Sequence, residues 1–308
     1  MKIITYRKDS GPVLTGVVAG EQVLDITAWT AARPVCALAQ QRLAAAGVEA
    51  ASGGIMRWLQ SGADAIEALN AHVHAALATP GTRYDMLQGV QLFAPVPRPG
   101  KIIGVGRNYA DHAKETGVAP FESPRIIFKV PSSVAAPGAS VQRPAGVKKM
   151  DFEAELAVVM GAYGKDVPQA QALALVAGYT ILNDLSAREF QFDVSQAQTT
   201  FAKSMDGFAP MGPWLVTRDE VPDPQTLDVS CWLNGARMQH GHTADMLFPV
   251  ATLIAYVSGF MTLEPGDVIT TGTPAGIGAF RQPPVYLQPG DRLRFEVTRI
   301  GAMEHLIS

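Results

Sequence analysis

The stretch MDFEAELAVVMG, residues 150–161, sets two carboxylates at the mouth of an apolar strand. Leu156, Ala157, Val158, Val159 and Met160 form an unbroken apolar run of strand length, the pattern of a buried strand. Glu153 and Glu155 stand two apart, and alternate strand residues face the same way. Both carboxylates therefore project from one face, about 7 Å apart. Two acids beside a core strand repel each other and are costly to desolvate. A hard divalent cation is the simplest partner that would hold them there. Taken alone, a Glu-x-Glu pair reads more simply as solvated edge-strand charge. Asp184 strengthens the case, because it too ends an apolar strand, in GYTILNDLSAREF, residues 178–190.

The bulk composition bounds the function classes. A chain of 308 residues with 47% hydrophobic and 17% charged residues has ample core for one large domain or two modest ones. A net charge of −3 argues against a nucleic-acid surface, which would need a concentrated basic patch. No run approaches the ~18 apolar residues of a membrane span, and MKIITYRKDSG starts like a strand, not like a signal peptide. The two cysteines, Cys36 and Cys231, lie in separate apolar-flanked settings and read as buried, inert thiols. That fits a reducing cytoplasm.

Residues 1–30 alternate like short strands, with turns at Ser10-Gly11 and Ala19-Gly20. Residues 35–79 switch to alanine-rich helical patterning, with Ile66, Leu69, Val73, Ala76 and Leu77 on one apolar face. His72 and His74 point to different sides of that helix and read as surface residues. Three prolines within residues 95–99 stiffen a connection and exclude helix. They divide the chain into a small N-terminal domain, 1–95, and a larger domain, 96–308. Beyond them the pattern is short strands between Pro/Gly turns, with helices at 170–177 and 247–257, the second ended by Gly259. Two Leu-x-Pro-Gly-Asp segments, 263–267 and 287–291, read as type II turns leading into strands 268–271 and 293–297. The fold class is α+β, mostly β.

The segment KIIGVGRNYADHAKETG, residues 101–117, reads as a strand followed by two helical turns, with Asn108 as N-cap and Gly117 just past the end. His112 and Glu115, three apart, share a face, so Glu115 can orient His112 as a general base. The bland alternative is an ordinary pair on a solvated helix. Gly104-Val105-Gly106 is not a dinucleotide loop, since Tyr109 stands where the third glycine belongs. Asp184, Arg188 and Gln191 would share a face if a helix began at Asp184. Lys203, alone among small and apolar residues, could neutralise excess acid charge, touch a substrate oxygen, or simply snorkel to the surface. The loop Gly272–Gly278 could present N–H groups and a hydroxyl to an anion, and has no P-loop ending. His240 and His242 form an isolated His-x-His that reads as chance. No serine-hydrolase elbow and no zincin motif occur.

Together these stretches resemble the fumarylacetoacetate hydrolase family. The likeness rests on GVGRNYADHAKE, IIFKVPSSVAAPG, MDFEAELAVVMG, GYTILNDLSAREFQ, AKSMDGFAPMGPWLVT, DMLFPVATLIAYVSGF and LEPGDVITTGTPAGIG, from about residue 95 to the C-terminus. The first 90 or so residues resemble the smaller, variable N-terminal region of longer members. The resemblance implies a mixed β-sheet roll as catalytic domain, a homodimer, and Mg²⁺ (or Mn²⁺) held by Glu153, Glu155 and Asp184. It implies a His112–Glu115 dyad on a lid segment. It also implies that Lys203, Arg188, Gln191 and Thr273 hold substrate oxygens, with Tyr109 and Lys129 lining the same region. His240 and His242 depart from the family's more usual Asp/Asn there. The implied activity is carbon–carbon bond hydrolysis in a small 2,4-diketo acid of the acylpyruvate or fumarylpyruvate type. Decarboxylation of oxaloacetate-like acids, isomerisation of unsaturated hydroxy-dioates and ureidoglycolate-type lyase chemistry are the alternatives on the same scaffold. A non-catalytic metal-binding relative is the alternative from another class.

Overall fold

In the computed structural model the apolar run of the opening stretch becomes the strand Ala154–Met160, every residue of it buried. The structure describes residues 1–36, 40–41, 54–62, 64–115, 117 and 121–308. Ala154–Met160 pairs antiparallel with Val176–Asn183 on one side and with Val268–Thr270 on the other. From Val268–Thr270 the sheet continues through the parallel strand Ile102–Gly106 to Arg125–Lys129. In the other direction it passes through Ala209–Thr217 to Lys2–Lys8, Val13–Ala19, Gln22–Asp25 and Asp85–Met86. The N-terminal strands thus extend the same sheet, with Lys2 and Ile3 opposite Val216 and Leu215. A second sheet runs Ala236–His242, Asp228–Leu233, Arg292–Val297, Gly301–Ile307 and Ser140–Val141. The molecule is mostly β with mixed sheets, the fold class read from the sequence.

Burial on both faces explains why residues 156–160 lack polar alternation. Leu156, Val158 and Met160 enter a core shared with Val229, Phe295 and the helix Val250–Phe260. Ala157 and Val159 face the other way, against Ile55, Trp58, Leu69 and Val73 of the N-terminal region.

Several local expectations are corrected. The helix Ala65–Ala78 buries Ala65, Leu69 and Val73, while Leu77 is 50% exposed. His72 stacks on Trp29 and His74 is exposed. Within the expected helical region 35–79, Gly54–Leu59 is also helical, and residues 37–39, 42–53 and 63 lie outside the described residues. The run 170–177 is one α-helical turn, Gln169–Ala172, then a 3₁₀ turn, and the strand already begins at Val176. The later helix starts at Val250, behind Pro249, and Gly259 sits in its last turn. Leu247 and Phe248 are held outside it because their N–H groups donate to the Asn108 carbonyl and to Asn108 Oδ1. Asn108 is therefore a tertiary clamp: its Nδ2 also donates to the carbonyls of Phe248 and Thr271. Both Pro-Gly turns form as read, with Gly266 and Gly290 at φ of 90° and 97°. Cys231 is buried as expected, but Cys36 is exposed. No helix among the described residues is long and apolar enough to cross a membrane.

Candidate active site

Strand alternation builds the acid cluster. Glu155 stands opposite Leu182 in the register of the two central strands. Two residues beyond Leu182, Asp184 falls on the same face, and its N–H donates to the Glu153 carbonyl at 2.9 Å. One carboxylate oxygen from each of Glu153, Glu155 and Asp184 lies within 4.8 Å of the others, and all three residues are buried. No helix starts at Asp184. Ser186–Ala187 instead pairs with Met150–Asp151, and a single turn, Glu189–Phe192, follows.

Buried cations interlock with these acids. Arg188 Nε is 2.8 Å from Asp151 Oδ2, its Nη2 is 2.7 Å from Glu153 Oε1, and its Nη1 donates to Gln191 Oε1 at 2.9 Å. Lys203 Nζ reaches Glu153 Oε2 at 2.8 Å, Asp184 Oδ2 at 2.7 Å and Ser186 Oγ at 2.8 Å. Lys129 Nζ contacts Asp184 Oδ1 at 2.7 Å and donates to the Lys203 carbonyl. Burial alone would raise the Glu153 pKa, but Lys203, Arg188 and His112 outweigh it and hold that carboxyl below the usual range. Glu155 goes the other way: burial, then Asp184 and Glu153, push it well above the ordinary value. Burial would lower Lys203, but Asp184 and Glu153 outweigh it, and its pKa rises. The upward push on Glu155 marks where a further positive charge would be stabilising. An all-oxygen donor set without thiolate suits a hard cation such as Mg²⁺ or Mn²⁺, so these residues fit one.

Asp151 was missed in the sequence, although it begins an alternating triple of acids, 151, 153 and 155. It is buried, pairs with Arg188, and accepts from the N–H groups of Gly278 and Ala279 at 2.8 and 3.0 Å. Gly272 donates to Glu155 Oε2 at 2.9 Å, and Gly276 to Glu115 Oε1 at 3.0 Å. The anions that this glycine loop binds are thus the protein's own carboxylates. Thr273 Oγ1 donates to the Ala154 carbonyl and accepts from Gln239 Nε2, which anchors the loop to the acid-bearing strand. Gln239 carried no recognisable signal in the sequence.

His112 and Glu115 lie on the turn Ala110–Glu115, with His112 Nδ1 3.0 Å from Glu115 Oε2. With Nδ1–H donated to Glu115, Nε2 is the ring nitrogen free to take a proton. His112 lines a cavity of about 280 Å³ together with Glu153, Glu155, Asp184, Arg188 and Lys203. Gln191 and Thr273 also line it, beside the apolar Ile127 and Phe280. Two lining residues that sequence reading passed over are Arg107 and Arg125. Tyr109 and Lys129 are not brought to the cavity wall. Tyr109 is fully buried, with no partner for its hydroxyl among the described residues, and Lys129 sits one layer behind, on Asp184. His240 pairs with Ser230 and His242 accepts from the Ala244 N–H, so the two do not act as a joint site.

A mixed β fold with a buried oxygen-donor cluster beside a His–Glu pair defines a class of site suited to small oxygen-rich acids. The chain belongs to the fumarylacetoacetate hydrolase family: the sequence profile for the fumarylacetoacetate (FAA) hydrolase C-terminal region matches residues 101–308. A Burkholderia multivorans protein, named for hydrolase activity without a stated substrate, is 51% identical over 209 residues, 68% of this chain and 74% of that one. The crystal structure of maleylpyruvate hydrolase from Sphingobium sp. SYK-6 in complex with manganese(II) and pyruvate matches with a TM-score of 0.77 and 31% identity, covering 100% of this chain and 98% of that one. The structure of 5-carboxymethyl-2-hydroxymuconate delta-isomerase from Mycobacterium smegmatis matches with a TM-score of 0.73 and 30% identity, covering 100% and 99%.

Proposed function

We propose that this protein hydrolyses a carbon–carbon bond in a small 2,4-dioxo acid of the acylpyruvate type, with Mg²⁺ or Mn²⁺ held by Glu153, Glu155 and Asp184. The observation that carries the reading is the placement of His112, fixed by Glu115, on the wall of the same cavity as the three carboxylates. A general base for water is what hydrolysis requires and mere cation binding does not. The bound cation supplies Lewis acidity toward the oxo and carboxylate oxygens of the acid.

The side chains then divide the work. His112 Nε2 takes a proton from the water that attacks the 4-carbonyl, and Glu115 stabilises the resulting imidazolium. The bond between C3 and C4 breaks, its electron pair passing to C3 of the pyruvate half. Return of the proton from His112 to C3 completes the reaction, with one water consumed and one carboxylic acid and pyruvate released. Lys203, locked between Glu153 and Asp184, places its positive charge beside the reacting oxygens before the reaction begins. The manganese and pyruvate complex of the maleylpyruvate hydrolase relative supports this reading. The same proposal takes the protein as a cytoplasmic homodimer, with residues 1–95 as an N-terminal unit and 96–308 as the catalytic one.

Isomerisation of an unsaturated hydroxy-dioate is the second reading, supported by the likeness to the muconate isomerase. In it His112 would move a proton between carbons and no water would be consumed. Incubation with acetylpyruvate, fumarylpyruvate, oxaloacetate and an unsaturated hydroxy-dioate, with and without chelator, tests the choice. Pyruvate plus an acid is the expected result. CO₂ would assign a decarboxylase, an unfragmented product an isomerase, and cation binding without turnover a non-catalytic relative.

A further inference from the structure

We propose that a cavity between the N-terminal helices and the far ends of the central strands is a second small-molecule site, one that takes an aromatic monocarboxylate. It stands apart from the reaction proposed above.

The cavity encloses about 220 Å³ and shares no lining residue with the cavity of the acid cluster. Trp58, Leu59 and Ile66 line it from the helices Gly54–Leu59 and Ala65–Ala78. Leu175, Val176 and Arg218 line it from the other side. An apolar cavity of about 150 Å³ already holds benzene, so one ring with a short polar tail fits here. Val176 begins the strand that ends at Asn183, next to Asp184. At about 3.3 Å per residue, roughly 26 Å of strand separates this cavity from the acid cluster.

Both walls are fixed by contacts that hold the gap open. The Trp58 indole donates its Nε1–H to the Ala65 carbonyl at 2.9 Å. Opposite, the Gly161 N–H donates to the Leu175 carbonyl at 2.7 Å, and a Cβ on Gly161 would come within 2.9 Å of the Ala177 Cβ. Neither wall can move in to close the space without breaking these contacts.

Arg218 supplies the polar end. Its Nη1 donates to the carbonyls of Ala174 and Val176, which pins the guanidinium at the rim. No ion pair among the described residues includes Arg218. Its remaining N–H groups therefore face the cavity mouth without a protein carboxylate, and a ligand carboxylate would accept charge-assisted hydrogen bonds from them. The walls decide the rest of the ligand. A second charge would be desolvated against Leu59, Ile66 and Leu175, whereas a flat ring packs on the Trp58 indole.

Phenylacetate and phenylacetamide share a shape and differ in charge, so they probe this site. Each is titrated into the full-length Mg²⁺-saturated protein, followed by tryptophan emission and by calorimetry. The expected result is saturable binding of phenylacetate, at least ~10-fold tighter than phenylacetamide, the scale of one hydrogen bond to a charged group. Trp58→Phe should remove the emission change while calorimetric binding remains. Arg218→Gln, whose amide can still donate to the Ala174 carbonyl, should bring the two probes close to equal affinity. Arg218→Lys should restore part of the preference. Binding should persist in chelator, since no cation at the acid cluster takes part. Equal affinities in the wild type, a preference that survives Arg218→Gln, an emission change that survives Trp58→Phe, or loss of binding in chelator overturns the site. Should Trp58→Phe fail to fold, the Arg218 variants, changed at a half-buried rim position, still decide.

Discussion

Glu115 Oε2 lies 3.0 Å from His112 Nδ1, and Glu115 is itself fixed by the N–H of Gly276. Orientation thus passes from a glycine loop through a carboxylate to the imidazole. Replacing His112 by Gln should leave Mg²⁺ binding intact by calorimetry and lower turnover of the cleaved acylpyruvate by ~10²-fold or more. Glu115→Gln should cost less, because the imidazole keeps a hydrogen-bonding partner and loses only its counter-charge. Normal turnover by the His112 variant would remove the dyad from the mechanism.

Gly276 has φ of 104°, and a Cβ there would lie 2.2 Å from the Met238 carbonyl oxygen. Gly276→Ala must therefore move the loop backbone and with it the Glu115 anchor. We expect destabilisation of about 1–3 kcal/mol by denaturant unfolding, with an activity loss resembling that of Glu115→Gln. Unchanged stability and activity would show that the loop relaxes without disturbing Glu115.

Asp184 accepts from both Lys129 and Lys203 while offering an oxygen to the acid cluster. Asp184→Ala should abolish the rise in melting temperature that Mg²⁺ gives by binding the folded state. It should also lower stability in chelator, since two buried ammonium groups lose a partner. A Mg²⁺-dependent rise equal to that of the wild type would reject Asp184 as a ligand.

Lys203→Met removes one positive charge from among three buried acids. In chelator the variant should lose about 3–5 kcal/mol, the scale of a broken buried pair. Mg²⁺ should recover more stability in this variant than in the wild type, because the cation then supplies the missing charge. Equal Mg²⁺ stabilisation in both proteins would argue that ammonium and cation act independently.

The acid cluster was legible because it depends on alternation within single strands, a local property of Glu153 and Glu155 and of the end of the strand at Asp184. The His112–Glu115 pair was legible for the same reason, being spaced by one helical turn. Residues whose partners are remote were not. Asn108 looked like a helix cap, yet its partners at Phe248 and Thr271 are 140 and 163 residues away. Arg107 and Arg125 meet only once Ile102–Gly106 pairs with Arg125–Lys129, and nothing local in either segment specifies that register. The start of the helix at Val250 was misplaced because apolar spacing continues back to Leu247, whose backbone Asn108 withholds from the helix.

His305 connects the second sheet to the acid cluster. Its Nε2 lies 3.0 Å from Asn183 Nδ2, and Asn183 Oδ1 accepts from the Glu153 N–H. An accepting Nε2 requires the proton on Nδ1, so the ring is neutral, stacked on Phe295 with centroids 5.3 Å apart. Burial lowers its pKa from 6.5 to about 3. The unfolded chain protonates this histidine below about pH 6.5 while the folded one does not. The stability it contributes is therefore present above that pH and is lost as pH falls toward 3. The slope is at most ~1.4 kcal/mol per pH unit, for a total of about 5 kcal/mol. Carboxylates titrate in the same range, but they cancel in the difference between the wild type and His305→Gln, whose amide can still accept from Asn183. Urea unfolding at half-unit steps from pH 7 to 4 should show a shallower acid loss in the variant, even if it is less stable at neutral pH for want of the ring stack. Parallel curves would mean that His305 is protonated in the folded protein and that the Asn183 bond runs the other way.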